Sequence, residues 1–261
     1  MDKNIINQTI NDLQQRLDSL QSDLQNLKNQ VNEAPPADRK VFVLVDAGHG
    51  GNHPDTGAYM TPPHIGKKYI FTDNSGKAIL EIREGEVNRI IANKFCEMLA
   101  SAGFGYKKIY HEYLDNSLDD RVRAANATFD QLTPQGKKVI LLSFHSNAIG
   151  MNQSGKGEAP NFWSVWTTKG STTSDKIADA WYLKTKEIVG SKIRIEQQAS
   201  DGDFDYEANF KIIYQTKMPA ALVENLFFTN LANARLLLDN EYQTQSAQAA
   251  FETVKWCEDN L

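Results

Sequence analysis

Apolar side chains near the start of the chain keep to one strict spacing. Ile6, Ile10, Leu13, Leu17, Leu20, Leu24, Leu27 and Val31 are separated alternately by four and three residues, and the positions between them are mostly polar. A 3.5-residue period is the seam of a left-handed coiled coil. So narrow a stripe suits a partner helix better than a globular core. Residues 1–33 are therefore expected to form an oligomerisation helix, self-associating through the coiled coil 3–31. The alternative is a lone amphipathic helix lying back on the rest of the chain. Leucine at both seam positions leaves the oligomer number open. Residues 34–40 contain Pro35-Pro36, which cannot continue a helix, and read as an extended linker.

From residue 41 the pattern changes to short apolar runs alternating with helical periods. Strands are expected at 41–46, 106–112, 138–144, 162–167, 210–215 and 220–224, and helices at 84–101, 117–131, 173–190, 230–238 and 242–260. Asp73-Asn-Ser-Gly-Lys77 lies between two apolar runs and predicts a hairpin. Ser117-Leu-Asp-Asp120 reads as a capping box with aspartate in the usual glutamate place. Residues 193–209 are polar and acidic with little period and read as loop. Strands alternating with helices predict an α/β domain over 41–261: a mainly parallel twisted sheet flanked by helices, with the coiled-coil helix in front of it. In such sheets ligands gather beyond the carboxyl ends of the strands.

Composition narrows the function. A hydrophobic fraction of 41% in 261 residues is enough for a real core, and a net charge of -5 lacks the basic excess of a nucleic-acid binder. Cys96 and Cys257 form no C-x-x-C, so neither a thiolate zinc site nor a disulfide framework is expected. No apolar run reaches the length of a membrane span, so no membrane insertion is expected. The start, Met1-Asp-Lys-Asn-Ile-Ile6, lacks the pattern of a signal peptide, so synthesis in the cytoplasm is expected.

Candidate chemistry collects where strands end. His49 sits in Asp46-Ala-Gly-His-Gly-Gly51, where glycines allow a tight turn and a close approach of backbone to a bound group. His145 ends an apolar run in Ser143-Phe-His-Ser-Asn147, and Glu224 ends Pro219-Ala-Ala-Leu-Val-Glu224. A carboxylate straight after a buried strand is costly unless it is paired or used. Two histidines, a carboxylate ligand and a spare glutamate are the parts of a catalytic zinc site. Glu84 and Glu86 compete for the third ligand position, both in a helix's first turn, where the dipole alone favours acids. Asp46 is a candidate either for orienting the His49 imidazole or for capping the turn. Ser146 and Asn147 either contact substrate or shape the turn. His53, His64 and His111 are weaker ligand candidates. Trp163, Trp166 and Trp181 offer a sugar-stacking platform, with core packing the better reading for most of them.

Taken in order, these segments resemble the zinc-dependent N-acetylmuramoyl-L-alanine amidases of the type 3 family. The match lies in Asp46-Ala-Gly-His-Gly-Gly51, Glu84 with Asn88, Ser143-Phe-His-Ser-Asn147, and Pro219 to Glu224 followed by Phe227 and Asn230. Leu118, Arg121 and Ala125-Asn126 fit the family's intervening helix. Any one motif is weak; the series spans about residues 41 to 257. The resemblance implies Zn2+ held by His49, Glu84 and His145, with Glu224 as the catalytic carboxylate, and peptidoglycan as substrate. It implies action on the cell wall after release, as phage lytic enzymes act, or by non-classical export. Three departures stand out. The loop 52–80 is long and carries its own hairpin, the helix start reads Arg83-Glu-Gly-Glu86, which keeps Glu86 open, and no wall-binding module is recognisable. Two other readings are carried forward. One is a zinc carboxypeptidase-like peptidase using Arg121 or Arg123 to hold a terminal carboxylate. The other is a non-catalytic coiled-coil assembly protein, of phage type, with a degenerate amidase domain.

Overall fold

The computed structural model describes Leu13, Arg16 and residues 39–149, 154–157, 159–196 and 202–261. Apart from Leu13 and Arg16, which are helical, the expected coiled coil and most of the linker lie outside the described residues. A compact unit runs from Arg39 to Leu261. Among the described residues no helix is long and apolar enough to cross a membrane.

The centre of this unit is a six-stranded sheet. Its strands are β1 (Val41–Ala47), β4 (Gly105–Lys108), β5 (Lys138–Asn147), β7 (Ser164–Thr167), β8 (Tyr206–Glu207) and β9 (Ala220–Phe227), in the spatial order β4-β1-β5-β9-β7-β8. The first four in that order run parallel; β7 pairs antiparallel with β9 and parallel with β8. The hairpin stands apart as β2 (Lys68–Thr72) and β3 (Ala78–Arg83), with the short β6 (Ser154–Gly155) completing a second sheet. Asp73 closes its turn by accepting from the backbone N–H groups of Ser75 and Lys77.

Strand periodicity divides the core in two. Val41, Val43, Val45 and Ala47 face one side with Ile140, Leu142, Phe144, Ala221 and Val223, under helices α1 (Glu84–Ser101), α3 (Thr173–Val189) and α6 (Asn240–Asn260). Leu44, Val139, Leu141, Ala220 and Leu222 face the other side, under α2 (Leu118–Leu132) and the single turn α4 (Lys211–Tyr214). A last helix, α5 (Leu231–Leu237), follows β9. On the second face the alternation runs on toward the carboxyl ends of the strands as Asp46, Ser143, His145 and Glu224. There the apolar pattern gives way to chemistry.

The mixed α/β fold and most elements agree with the sequence pattern, and four points differ. Phe210–Gln215 is not a strand: Lys211–Tyr214 forms a helical turn that buries the adjacent Ile212 and Ile213 together in the second core. A strand would send those two to opposite faces. The strand expected at 106–112 is Gly105–Lys108. Residues 193–209 are not all loop, since Tyr206 and Glu207 pair with β7. Ser117 caps α2 by accepting from the Asp120 N–H, but the Asp120 carboxylate takes the Ser117 hydroxyl rather than completing a box. The reciprocal box is at Thr172 and Asp175, opening α3.

A candidate metal centre at the strand ends

Strand register builds the site. His145 and Glu224 are direct partners between β5 and β9, and Asp46 and Ser143 are partners between β1 and β5. Neighbours in register on parallel strands point the same way, so all four stand on one face. His49 arrives from the turn after β1 with a left-handed backbone, φ 63°, a conformation that costs a non-glycine residue of order 1–3 kcal/mol. Arg121, 1% exposed, holds that turn. Its guanidinium donates to the carbonyls of Ala47 and His49 and to the carboxylates of Asp46 and Asp115. Arg89 does the same work from α1, donating to the carbonyls of Gly48, Gly85, His111, Glu112 and Leu114. Gly48 lies against the His145 ring, where a β-carbon would come within 2.1 Å of its Cε1. Gly85 lies against the Gly50 carbonyl, which a β-carbon would meet at 2.0 Å.

His49, Glu84 and His145 converge, with one donor atom from each lying within 4.8 Å of the others. Glu84 Oε1 is 3.5 Å from His49 Nε2 and 3.4 Å from His145 Nδ1. Ligands about 2.1 Å from a tetrahedral zinc stand about 3.4 Å apart, so the donor types and the two Glu84–histidine separations fit that ion. Glu84 is fully buried at the start of α1, where the helix dipole favours its charge. The Ser146 N–H donates to Oε1, and the Lys67 ammonium stands 3.0 Å from Oε2. Glu86 turns elsewhere and accepts from the Asn52 N–H.

Electrostatics favour the ligating protonation states of His49 and Glu84. Burial, with Glu84 opposing it, takes the His49 pKa down to about 4, so its imidazole is neutral at pH 7. Burial also opposes charge on His145, but Glu84, Glu224 and Asp46 surround it and raise its pKa on balance. Burial likewise works against the Glu84 carboxylate, yet His49, Lys67 and His145 hold its pKa well below the usual range. Burial pushes Glu224 up to about 7, with His145 pulling down and Glu84 pushing further up. Its Oε2 is out of reach of water and accepts no hydrogen bond. Asp46 is buried, and burial would raise its pKa, but Arg121, His145 and the Ser143 hydroxyl lower it overall. Its Oδ2 is 3.9 Å from His145 Nε2, so it faces His145 rather than His49.

The remaining sequence candidates lie outside this cluster. Asn147 Oδ1 accepts from the Ala148 N–H and shapes the strand end. His53 and His111 each pack on Tyr113, and His64 is exposed in the loop before β2. Trp163 and Trp181 are core residues, while Trp166 is partly exposed and stacks on Tyr206. A cleft of about 370 Å³ opens beside His49 and His145, with Pro62, Ile65 and Leu118 as its apolar wall. Lys67 was not among the sequence candidates. Its position was countable: β2 and β3 pair Lys68 with Arg83, so the next pair outward is Lys67 with Glu84.

Comparison with known proteins gives a consistent answer. Residues 43–255 match the family described as N-acetylmuramoyl-L-alanine amidase, type 3. The endolysin of Bacillus phage SPP1 is 28% identical over 217 residues, covering 82% of this chain and 64% of that protein. The N-acetylmuramoyl-L-alanine amidase LytC of Bacillus subtilis is 30% identical over 115 residues, covering 41% of this chain and 23% of that protein. The chain thus spans less than two thirds of either relative. The fold is that of the N-acetylmuramoyl-L-alanine amidase from Clostridium difficile 630, with TM-score 0.60 and 21% identity over 85% of this chain and 98% of that one. It is also that of the catalytic domain of CwlV from Bacillus (Paenibacillus) polymyxa, with TM-score 0.56 and 20% identity over 84% and 98%.

Proposed function

Because the chain belongs to the type 3 N-acetylmuramoyl-L-alanine amidase family, we propose that it hydrolyses the amide between N-acetylmuramic acid and L-alanine in peptidoglycan. The observation that carries this reading is the convergence of His49, Glu84 and His145 beside a partly buried Glu224 whose Oε2 is buried and accepts no hydrogen bond. The three ligands would hold Zn2+, which supplies Lewis-acid activation of water and of the scissile carbonyl. Glu224 accepts the proton of the attacking water and returns it to the departing alanine nitrogen. A pKa near 7 suits a group that must do both. Asp46, Ser143 and Arg121 hold the His145 side of the site, and Arg89 and Arg121 tie down the Ala47, Gly48 and His49 carbonyls. The apolar wall of Pro62, Ile65 and Leu118 lies where the substrate's small alkyl groups would rest.

The carboxypeptidase-like alternative loses its anchor. The Arg121 fork is buried and occupied by Asp46, Asp115 and two carbonyls, and Arg123 is exposed and paired with Asp120. The assembly-protein alternative has no need of a complete ligand set. Phage-type action on the wall after release, and self-association of residues 3–31 to concentrate several catalytic domains on one wall surface, belong to the same proposal; sedimentation of the full chain at a single monomer mass would remove the second. Glu224→Gln tests the chemistry. The variant should bind zinc as the parent does and lose at least 100-fold in turnover, whereas a variant that remains active would contradict the assignment.

A further inference from the structure

We propose that Lys67 is a positioning residue that withholds one oxygen of Glu84 from the metal, so that the site remains open for the reacting water. The inference rests on the zinc-site reading given above. Glu84 divides its oxygens. Oε1 faces both histidines, at 3.5 and 3.4 Å. Oε2 faces the Lys67 ammonium at 3.0 Å and accepts no other hydrogen bond. A carboxylate with both oxygens free binds a metal through either one or two of them. Pinning the second to an ammonium leaves one-oxygen ligation, and with two histidines that is a three-ligand site with a position to spare. A carboxylate that ligates through both oxygens fills that position instead.

Lys67 is built in for this. Its carbonyl accepts from the Glu84 N–H and from the Tyr59 hydroxyl, and the same hydroxyl accepts from the Gly85 N–H. The first residues of α1 are therefore laced to Lys67, the residue just before β2, and the hairpin register continues one pair further to set Lys67 opposite Glu84. The Lys67 side chain is 27% exposed. Its stem reaches from solvent to a carboxylate with no exposure of its own, and the ammonium supplies the charge that burial would otherwise leave uncompensated. The same ammonium lowers the Glu224 pKa, so it stands within electrostatic reach of both carboxylates of the site.

The test replaces zinc by Co2+, whose visible bands are strong in four-coordinate sites and weaken as coordination rises. Wild type, Lys67→Met, Lys67→Arg and Glu84→Ala would be titrated with Co2+ against a chromophoric chelator, with spectra and turnover recorded. Wild type should bind one Co2+ with strong bands. Lys67→Met should bind at least as tightly, because Glu84 gains a second ligating oxygen and a repelling cation is gone. Its bands should weaken, and turnover should fall 10- to 100-fold, the range of outer-sphere changes around metal sites. Lys67→Arg should restore the bands and most of the activity. Wild-type bands in Lys67→Met, or loss of its cobalt with a normal thermal melt, would overturn the proposal. Wild type binding no cobalt, or Glu84→Ala binding it normally, would overturn the metal site itself and this inference with it.

Discussion

Gly48→Ala should leave the domain folded and weaken the zinc binding proposed for it. The new β-carbon would come 2.1, 2.4 and 2.6 Å from Cε1, Nδ1 and Nε2 of His145. Ordinary contact begins near 3.4 Å, so the imidazole must move by about 1.3 Å from a starting separation of 2.1 Å. A side chain can make that move more cheaply than backbone can. A misplacement of about 1 Å at a reacting centre costs about 100-fold in rate, and here the displaced group is a proposed ligand. Zinc affinity, measured by chelator competition, should fall by at least tenfold and turnover by about 100-fold, with a melting temperature of the metal-free protein within a few degrees of wild type. Gly85→Ala is the control. Its β-carbon would meet the Gly50 carbonyl at 2.0 Å, which is backbone on the His49 turn, so that variant should lose stability as well as metal. A Gly48→Ala protein that holds zinc and works like the parent would refute the placement of His145 as a ligand.

Two further outcomes follow from buried charge. Arg121→Met should destabilise the domain by about 3–5 kcal/mol, because Asp46 stays buried without its cation; urea unfolding near wild-type stability would contradict this. Asp205 is 1% exposed; its Oδ2 accepts from the Thr167 hydroxyl and its buried Oδ1 has no hydrogen-bond partner. Burial first, then Asp203, Asp175 and Asp179, raise its pKa to about 7, against the Thr167 hydroxyl. Its folded pKa lies above the unfolded value of 3.8. The unfolded chain therefore holds fewer protons than the folded one between those values, and this group makes stability fall as pH rises from about 4 through 7. Asp205→Asn should remove that slope and raise the melting temperature more at pH 8 than at pH 5; an equal change at both pH values would dismiss the assignment.

Much of the fold could be read from alternating strands and helices, because β1, β5 and β9 each begin as a short apolar run and end in a polar signature. The same signatures located the site candidates, since a histidine or glutamate straight after a buried apolar run has few structural uses. Phe210–Gln215 misled for a physical reason. Two adjacent isoleucines both buried are equally an apolar strand and one turn of helix lying on a sheet, and a run of six residues carries too little period to decide. Glu84 and Glu86 could not be separated from sequence because both begin α1. Only the direction of each carboxylate, one to the histidines and one to the Asn52 N–H, tells them apart. Arg121 reads from sequence as free to hold substrate, but its burial under the His49 turn depends on contacts 75 residues away that no local pattern reveals. Lys67 was hidden by distance in sequence alone, and the hairpin register would have found it.

The central claim is tested most directly by incubating the zinc-loaded protein with peptidoglycan, beside a chelated control, and identifying the released ends by mass spectrometry. The account predicts new L-alanine amino termini on intact stem peptides, lost on chelation and restored by zinc. Cleavage within the stem peptide, or release of L-alanine ends that chelation does not affect, would contradict it.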